Sequence, residues 1–259
     1  MNELIIKPGA NQNLSDEISD MYPFEDISAD NNEEDNPVDD KSKEIAMLAS
    51  FEKLKRVNPD VRGFIKIEGT VINYPIVQSS DNEYYLKYNF YNKYSSYGTL
   101  FFDYRNKIDK TDKNLIIHGH QMRDGQMFGT LEKYKNLDYY KEHPVFRLDT
   151  VAEPGQYKII SAFYASTLPK HAPNFYYLYT DFSSDDEFME FVQDVRDRSM
   201  IDTPVDVIES DRIVTLSTCS TLFEEARFVV IARRVRPDEL PEVDLSKAKA
   251  NSDVVMPKV

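Results

Sequence analysis

The sequence predicts a mostly-β domain with a few added helices, its strands closed into a barrel of about eight. Three observations lead there. Short apolar runs rich in β-branched and aromatic residues recur between Phe64 and Val235, bounded by turn residues. Strands do not alternate with long helices in the way that builds a parallel α/β sheet. Only two long segments carry a clear helical period, one ahead of the strands and one late among them. Many short strands with few helices argue for a closed antiparallel or mixed barrel.

The elements follow in order. Ser42 to Val57 sets Ile45, Leu48, Ala49, Phe51 and Leu54 at three- and four-residue spacings, one face of an amphipathic helix. It stops before Asn58-Pro59, because the residue ahead of a proline avoids the helical region. Strands Phe64 to Ile67 and Thr70 to Val77 come next, joined through Glu68-Gly69 as a hairpin turn. Asp81 to Tyr88 opens on an acid and reads as a short helix. Thr99 to Asp103 and Lys113 to His118 read as strands, Met127 to Tyr134 and Leu137 to Glu142 as helices, and Val145 to Leu148 and Gln156 to Ser166 as strands. Ser184 to Ser199 puts Phe188, Phe191, Val192 and Val195 on one face with acids in its first turn, a second amphipathic helix. Strands Ile213 to Leu216 and Arg227 to Val235 complete the set.

Around this domain, 42–236, the composition changes. Residues 1–41 are acidic, rich in Asn, Ser and Asp, and carry three prolines, so they bury too little apolar area to offset chain entropy and read as a disordered tail or stalk. Residues 237–259 are polar again, a loose C-terminal tail. The net charge of -14 is concentrated at the start, where residues 1–44 hold thirteen Asp or Glu against three Lys or Arg. That balance argues against nucleic acid, which needs a basic face, and against simple electrostatic adhesion to an anionic membrane. A single cysteine excludes an internal disulfide. No run approaches the ~18 apolar residues of a membrane-spanning helix.

The chemistry gathers at that cysteine. Cys219 follows the apolar run Ile213 to Leu216, and strand ends are where a scaffold presents a reactive group. A free cysteine is commonly a small core hydrophobe, but a nucleophilic one needs a base to share its proton and a donor for the oxyanion. Arg227 starts the next strand and comes near the sulfur if the two strands pair. The base should be one of four histidines, His118, His120, His143 or His171. His118 and His120 flank Gly119 at the end of an apolar strand; alternation puts both on one face, so it does not separate them. They have no third ligand nearby that would make a zinc site. His143, ahead of Pro144, reads as structural or capping, His171 as a surface group in a loop, and Arg233 and Arg234 as solvated. Ser217 faces the same side as Cys219, and with Thr218 it is a candidate for lining a substrate groove.

These residues resemble the sortases, and class B among them. Thr215-Leu-Ser-Thr-Cys219 fits the family's Thr-Leu-x-Thr-Cys motif, followed by a strand opening on arginine and preceded by Gly119-His120. Matching text also includes Gly63-Phe-Ile-Lys-Ile-Glu-Gly69, Tyr74-Pro-Ile-Val-Gln78, Asp81-Asn-Glu-Tyr-Tyr-Leu86, Phe102-Asp-Tyr-Arg105 and Met122-Arg-Asp-Gly-Gln-Met-Phe128, so the resemblance spans about 42–236. It implies a sortase-type barrel with an N-terminal helix and a helix ahead of the cysteine strand. It also implies a cysteine transpeptidase. Cys219 would attack the threonine carbonyl of a C-terminal sorting signal of the LPxTG or NPxTN kind, Arg227 would stabilise the oxyanion, and His120 would serve as acid and then base. The thioester would pass to an amine of a peptidoglycan precursor of the lipid II type or, in a pilin-polymerising member, to a pilin lysine. The expected partner is a secreted protein bearing the signal. No metal or cofactor is expected, nor a nucleic acid, and the protein is expected to be a monomer on the extracellular face of a Gram-positive membrane. Sortases usually carry an N-terminal membrane anchor, and no stretch of this sequence reads as one: either it was removed from this chain or the protein is held in place some other way. The alternatives are a cysteine hydrolase or an inert binding module on the same fold.

Overall fold

The computed structural model describes residues 17–18, 20–22, 40–168, 170–171 and 175–258, with backbone only at 40–44. Among the described residues ten strands form, β1 (Val61–Lys66), β2 (Asn73–Val77), β3 (Leu100–Phe102), β4 (Asn114–His118), β5 (Val145–Thr150), β6 (Gln156–Ser166), β7 (Ile201–Asp202), β8 (Ile213–Cys219), β9 (Ala226–Arg234) and β10 (Lys249–Ala250). Eight close into a ring in the order β1-β2-β3-β4-β8-β9-β6-β5, with β1 pairing back onto β5. Two neighbouring pairs, β2/β3 and β4/β8, are parallel and the others antiparallel. The expected mixed barrel of eight strands is therefore what forms.

Period-two alternation sends one set of side chains inward and the other out. Inside, Ile65, Ile76, Phe102, Leu148, Ile159, Val214, Leu216, Phe228 and Val230 form the core, each almost wholly buried. Outside, Ile213, Val229 and Ile231 are covered by helix α3 (Asp185–Arg198) through Phe188, Phe191, Val192 and Val195. Ser184 caps that helix by accepting from the Glu187 amide, and three acids in its first turn complement the helix dipole. The other helices described are α1 (Asp40–Val57) and the short α2 (Leu137–Glu142).

Helix α1 buries Met47, Phe51 and Leu54 against Val61, Phe64, Val77 and Phe101. The expected face was partly wrong, because Ile45 and Leu48 are 59% and 43% exposed. Two stripes at three- and four-residue spacing overlap on this helix, and the barrel wall accepts the one that carries Met47. Other expectations also change. The turn between β1 and β2 is a wider loop in which the Ile67 amide donates to Ile72 O, with Gly69 at φ 73. Asp81 to Tyr88 shrinks to a 3-10 turn at Tyr84–Leu86, whose start Asp81 holds by accepting from the Glu83 and Tyr84 amides. Met127 has φ 53, outside the right-handed helical region, so the helix expected there reduces to a 3-10 turn at Leu131–Lys135.

Both tails are better tied than their composition suggests. Within the expected disordered stretch, Ile18 and Tyr22 are buried, and the Tyr22 ring stacks on Phe64 at 4.6 Å. Apart from residues 17, 20, 21 and the first two residues of α1, the rest of that stretch lies outside the described residues. Beyond Pro237 the chain is not loose: β10 pairs with β7, and Glu239 bonds Arg233 and Lys158. Among the described residues no helix is long and apolar enough to cross a membrane.

Candidate active site

Three adjacent strands, β4, β8 and β9, end on the same rim of the barrel. β4 and β8 run parallel with His118 opposite Ser217, and β8 and β9 run antiparallel with Cys219 opposite Arg227. The β4/β8 pairing runs one step further, since the Gly119 amide donates to Ser217 O (3.1 Å) and the Thr218 hydroxyl donates to Gly119 O (2.8 Å). His120 is the next residue after this link, on the loop that leaves β4, and Cys219 is the last residue of β8. Neighbouring strands lie about 4.8 Å apart, so Cys219 and Arg227 stand abreast on β8 and β9, with His120 one residue past the last β4/β8 link. The sequence motif follows from this layout. A Cβ at Gly119 would overlap the Leu100 and Phe128 side chains, so only glycine lets the chain leave β4 at this angle.

Alternation puts Cys219, Arg227 and Ser217 on the outer face, the one that carries Ile213, Val229 and Ile231. Strand β8 runs on through Cys219, three residues further than expected, because Ser217 and Thr218 continue the ladder to β9 despite their polarity. Cys219 itself is exposed and free. Arg227, half-buried, donates to Glu225 Oε2 at 3.1 Å and to Ala226 O at 3.1 Å, an exposed contact that leaves other guanidinium donors available.

The histidines separate by their partners. His120, half-buried, lies 2.8 Å from Leu86 O through Nε2. A carbonyl only accepts, so Nε2 carries the proton and Nδ1 is the nitrogen left to take up or release one. His118 Nε2 meets Asp103 Oδ2 at 3.2 Å, and its ring packs on Phe101. Burial alone would push the Asp103 carboxyl up. Hydrogen bonds from His118, Arg105 and Asn82 outweigh it and hold the group below the usual carboxylate range. His143 is the C-cap of α2 and packs against Tyr139. His171 is a correction: it is buried at 7% exposure, with Nδ1 2.8 Å from the Ser166 hydroxyl, because loop and barrel close over it. Arg233 and Arg234 are not solvated either. Arg233 is fully buried against Glu239, and Arg234 pairs with Glu153 at 3.1 Å.

The expected groove residues are both engaged with protein partners. Ser217 is 3% exposed, its hydroxyl 2.9 Å from the Tyr177 hydroxyl, while Thr218 points inward to Gly119 O. Tyr177 went unnoticed in the sequence, although the aromatic run Phe175 to Tyr179 marks it. Burial pushes its phenol up; the Ser217 bond and Arg227 pull the other way and Cys219 adds to the rise, so it lies within electrostatic reach of both rim groups. Leu86 and Glu132, which bonds Gln121 and Ser220, were also missed, because neither residue type announces a role in the chain.

Comparison with known proteins gives the family. Residues 65–235 match the Sortase domain family. The chain is 38% identical over 184 residues to Sortase B of Listeria monocytogenes, covering 70% of this chain and 72% of that one. The Staphylococcus aureus sortase B–substrate complex superposes with a TM-score of 0.66 at 34% identity, over 73% of this chain and 86% of that one. Sortase B from Bacillus anthracis superposes with a TM-score of 0.70 at 32% identity, over 87% and 96%. A barrel of this strand order, with Cys219 paired to Arg227 and Gly119-His120 following the neighbouring strand, and matches of this extent leave one conclusion: the chain belongs to the sortase family, in its class B.

Proposed function

We propose that this cysteine transpeptidase cleaves a sorting signal with Cys219 as nucleophile, His120 as acid and base, and Arg227 as the oxyanion donor. The pairing of Cys219 with Arg227, with His120 following directly on the Gly119 link to β8 and the thiol exposed, is the observation that carries this reading. The Cys219 thiolate attacks the threonine carbonyl carbon of an LPxT- or NPxT-type signal. Arg227 N–H groups bond the oxyanion. His120 gives its Nδ1 proton to the departing amine, the C–N bond breaks, and a thioester remains. An incoming primary amine attacks that thioester and yields its proton to Nδ1. The C–S bond then breaks, which restores the thiolate and leaves a new amide.

Sortase family members act at the Gram-positive cell surface. We infer that this chain works on the outer face of the membrane, that residues 42–236 are its catalytic unit, and that its acceptor is a peptidoglycan-precursor amine. The Staphylococcus aureus relative is solved in complex with a substrate, which supports a sorting-signal substrate for this chain. Substrate-groove roles for Ser217 and Thr218 remain part of this reading, exerted through the Tyr177 and Gly119 contacts that shape the rim.

The test is a panel of fluorogenic LPxT and NPxT peptides, with and without an amine acceptor, beside Cys219→Ala. Cleavage lost in the variant, a thioester seen by intact mass and a ligated product with amine are the expected results. A glycine peptide, a diaminopimelate stem and a pilin-type lysine identify the acceptor. Cleavage that survives in Cys219→Ala would overturn the assignment.

A further inference from the structure

Backbone hydrogen bonding explains how β4 and β8 are aligned up to Gly119 and Thr218, and no further. The last link is the Gly119 amide to Ser217 O. Past it the two chains turn away from each other. Gln121 pairs with Met127, with the Phe128 amide donating to His120 O, while the Ser220 amide donates to Ala226 O. His120, on the loop after β4, and Cys219, the last residue of β8, are thus joined by no direct backbone bond.

One side chain joins them. Glu132 Oε2 accepts from Gln121 Nε2 at 2.7 Å and from the Ser220 hydroxyl at 3.3 Å. Gln121 follows His120 and Ser220 follows Cys219, so a single oxygen holds the residues next to both rim groups. The other oxygen is anchored to the scaffold: Oε1 accepts from the Tyr164 hydroxyl on β6 at 2.7 Å and from Lys135 Nζ at 3.2 Å. Glu132 itself rides on the Leu131–Lys135 turn, whose Leu131 and Tyr134 are wholly buried in the core. Tyr164, which bonds the same carboxylate, belongs to the interior core, whereas Cys219 lies on the outer face. The clasp is therefore behind His120 and Cys219 rather than in front of them.

Resting on the catalytic reading above, we propose that Glu132 is a positioning residue for the transpeptidation. Its carboxylate clasps the loops after β4 and β8 and sets the spacing of His120 from Cys219. A charged acceptor suits the task, because hydrogen bonds to an ionised oxygen are shorter and about twice as strong as neutral ones. Four donors on two oxygens leave little freedom to reorient. Burial works against the charge, but the bonds from Tyr164, Lys135 and Gln121 outweigh it and keep the carboxyl below the ordinary range. Since reacting groups misplaced by about 1 Å lose up to 100-fold in rate, the clasp acts on the chemical step and not on peptide affinity.

The experiment measures single-turnover thioester formation and steady-state kcat and KM on one cleaved sorting peptide, for wild type, Glu132→Gln, Gln121→Ala, Ser220→Ala and the Glu132→Gln/Gln121→Ala double variant, with Tm recorded for each. The expected result is a fall of about 10- to 100-fold in thioester formation and kcat for Glu132→Gln, at unchanged KM. Gln121→Ala should lower the rate alone and add little in the Glu132→Gln background, as residues of one network do. A loss of Tm with the rate per folded molecule unchanged, a rise in KM at constant kcat, or full additivity of the two substitutions each overturns the proposal. Should Glu132→Gln not fold, the two single donor variants decide alone: wild-type rates in both overturn it. Failure of the catalytic reading shows differently, as peptide cleavage that persists in Cys219→Ala or as no thioester on the wild-type protein.

Discussion

Arg227 and Arg233 lie on one face of one strand, six residues apart, and their surroundings differ in almost every respect. Arg227 stands at the rim, half-buried, its main partner the exposed Glu225 at 3.1 Å. Arg233 is 0% exposed and grips both oxygens of Glu239, at 2.5 and 2.7 Å, in a cluster with Lys158, Arg236, Asp206 and Asp211. An exposed pair is worth about 0–1 kcal/mol and exchanges partners readily. A buried fork surrounded by acids is committed to structure. The lesson is that a guanidinium can serve a passing oxyanion only where it has not been fully claimed, and on β9 only the rim end leaves it so.

Substitutions at the two positions should therefore fail in opposite ways. At Arg227, alanine is expected to lower kcat/KM by about 100- to 1000-fold, the loss typical of one oxyanion donor, with Tm nearly unchanged. Lysine, which keeps the charge but loses the fork, should recover only part. A wild-type rate in Arg227→Ala would erase the contrast. At Arg233, alanine leaves Glu239 without its main partner. Breaking a buried pair costs about 3–5 kcal/mol, to be read by urea unfolding, while kcat per folded molecule stays near wild type. An unchanged unfolding midpoint would contradict the structural role.

The third and smallest effect is on acid stability. Bonds from Arg233, set against burial and helped by Lys158, hold the Glu239 carboxyl well below the usual carboxylate range. A folded pKa below the unfolded one contributes stability that is fully present above the unfolded value, about 4.3 for Glu. It is lost as pH falls from there toward the folded value. Stability should fall on acidification below about pH 5, and Glu239→Gln should flatten that slope by at most ~1.4 kcal/mol per pH unit, one proton's share. Equal slopes in both proteins would remove Glu239 from the account.

Some of this was readable along the chain. Leu137 to Glu142 and Gln156 to Ser166 form where periodicity and β-branched content put them, and the barrel follows from many short strands with few helices. The family is carried by Thr215 to Cys219 and Gly119-His120, because motifs are local and survive without knowledge of the fold. Errors arose where a partner far away in sequence intervened. Ile45 and Leu48 lost the buried face of α1 to Met47, since the barrel wall selects among overlapping stripes. His171 and Arg233 were read as solvated, yet other elements close over both.

What the sequence alone determined is therefore the inventory: the strands, one thiol, four imidazoles, and an arginine opening the next strand after the cysteine. Tertiary structure decided what each member is free to do. Thr218 reaches Gly119 across 99 positions, Ser220 reaches Glu132 across 88, and His118 is taken by Asp103 while His120 turns to Leu86 O. Periodicity records which way a side chain points from its own backbone. Whether it meets solvent, a carboxylate or a second reactive group depends on strand register and on the loops that close over it, and those are set only when distant segments pack.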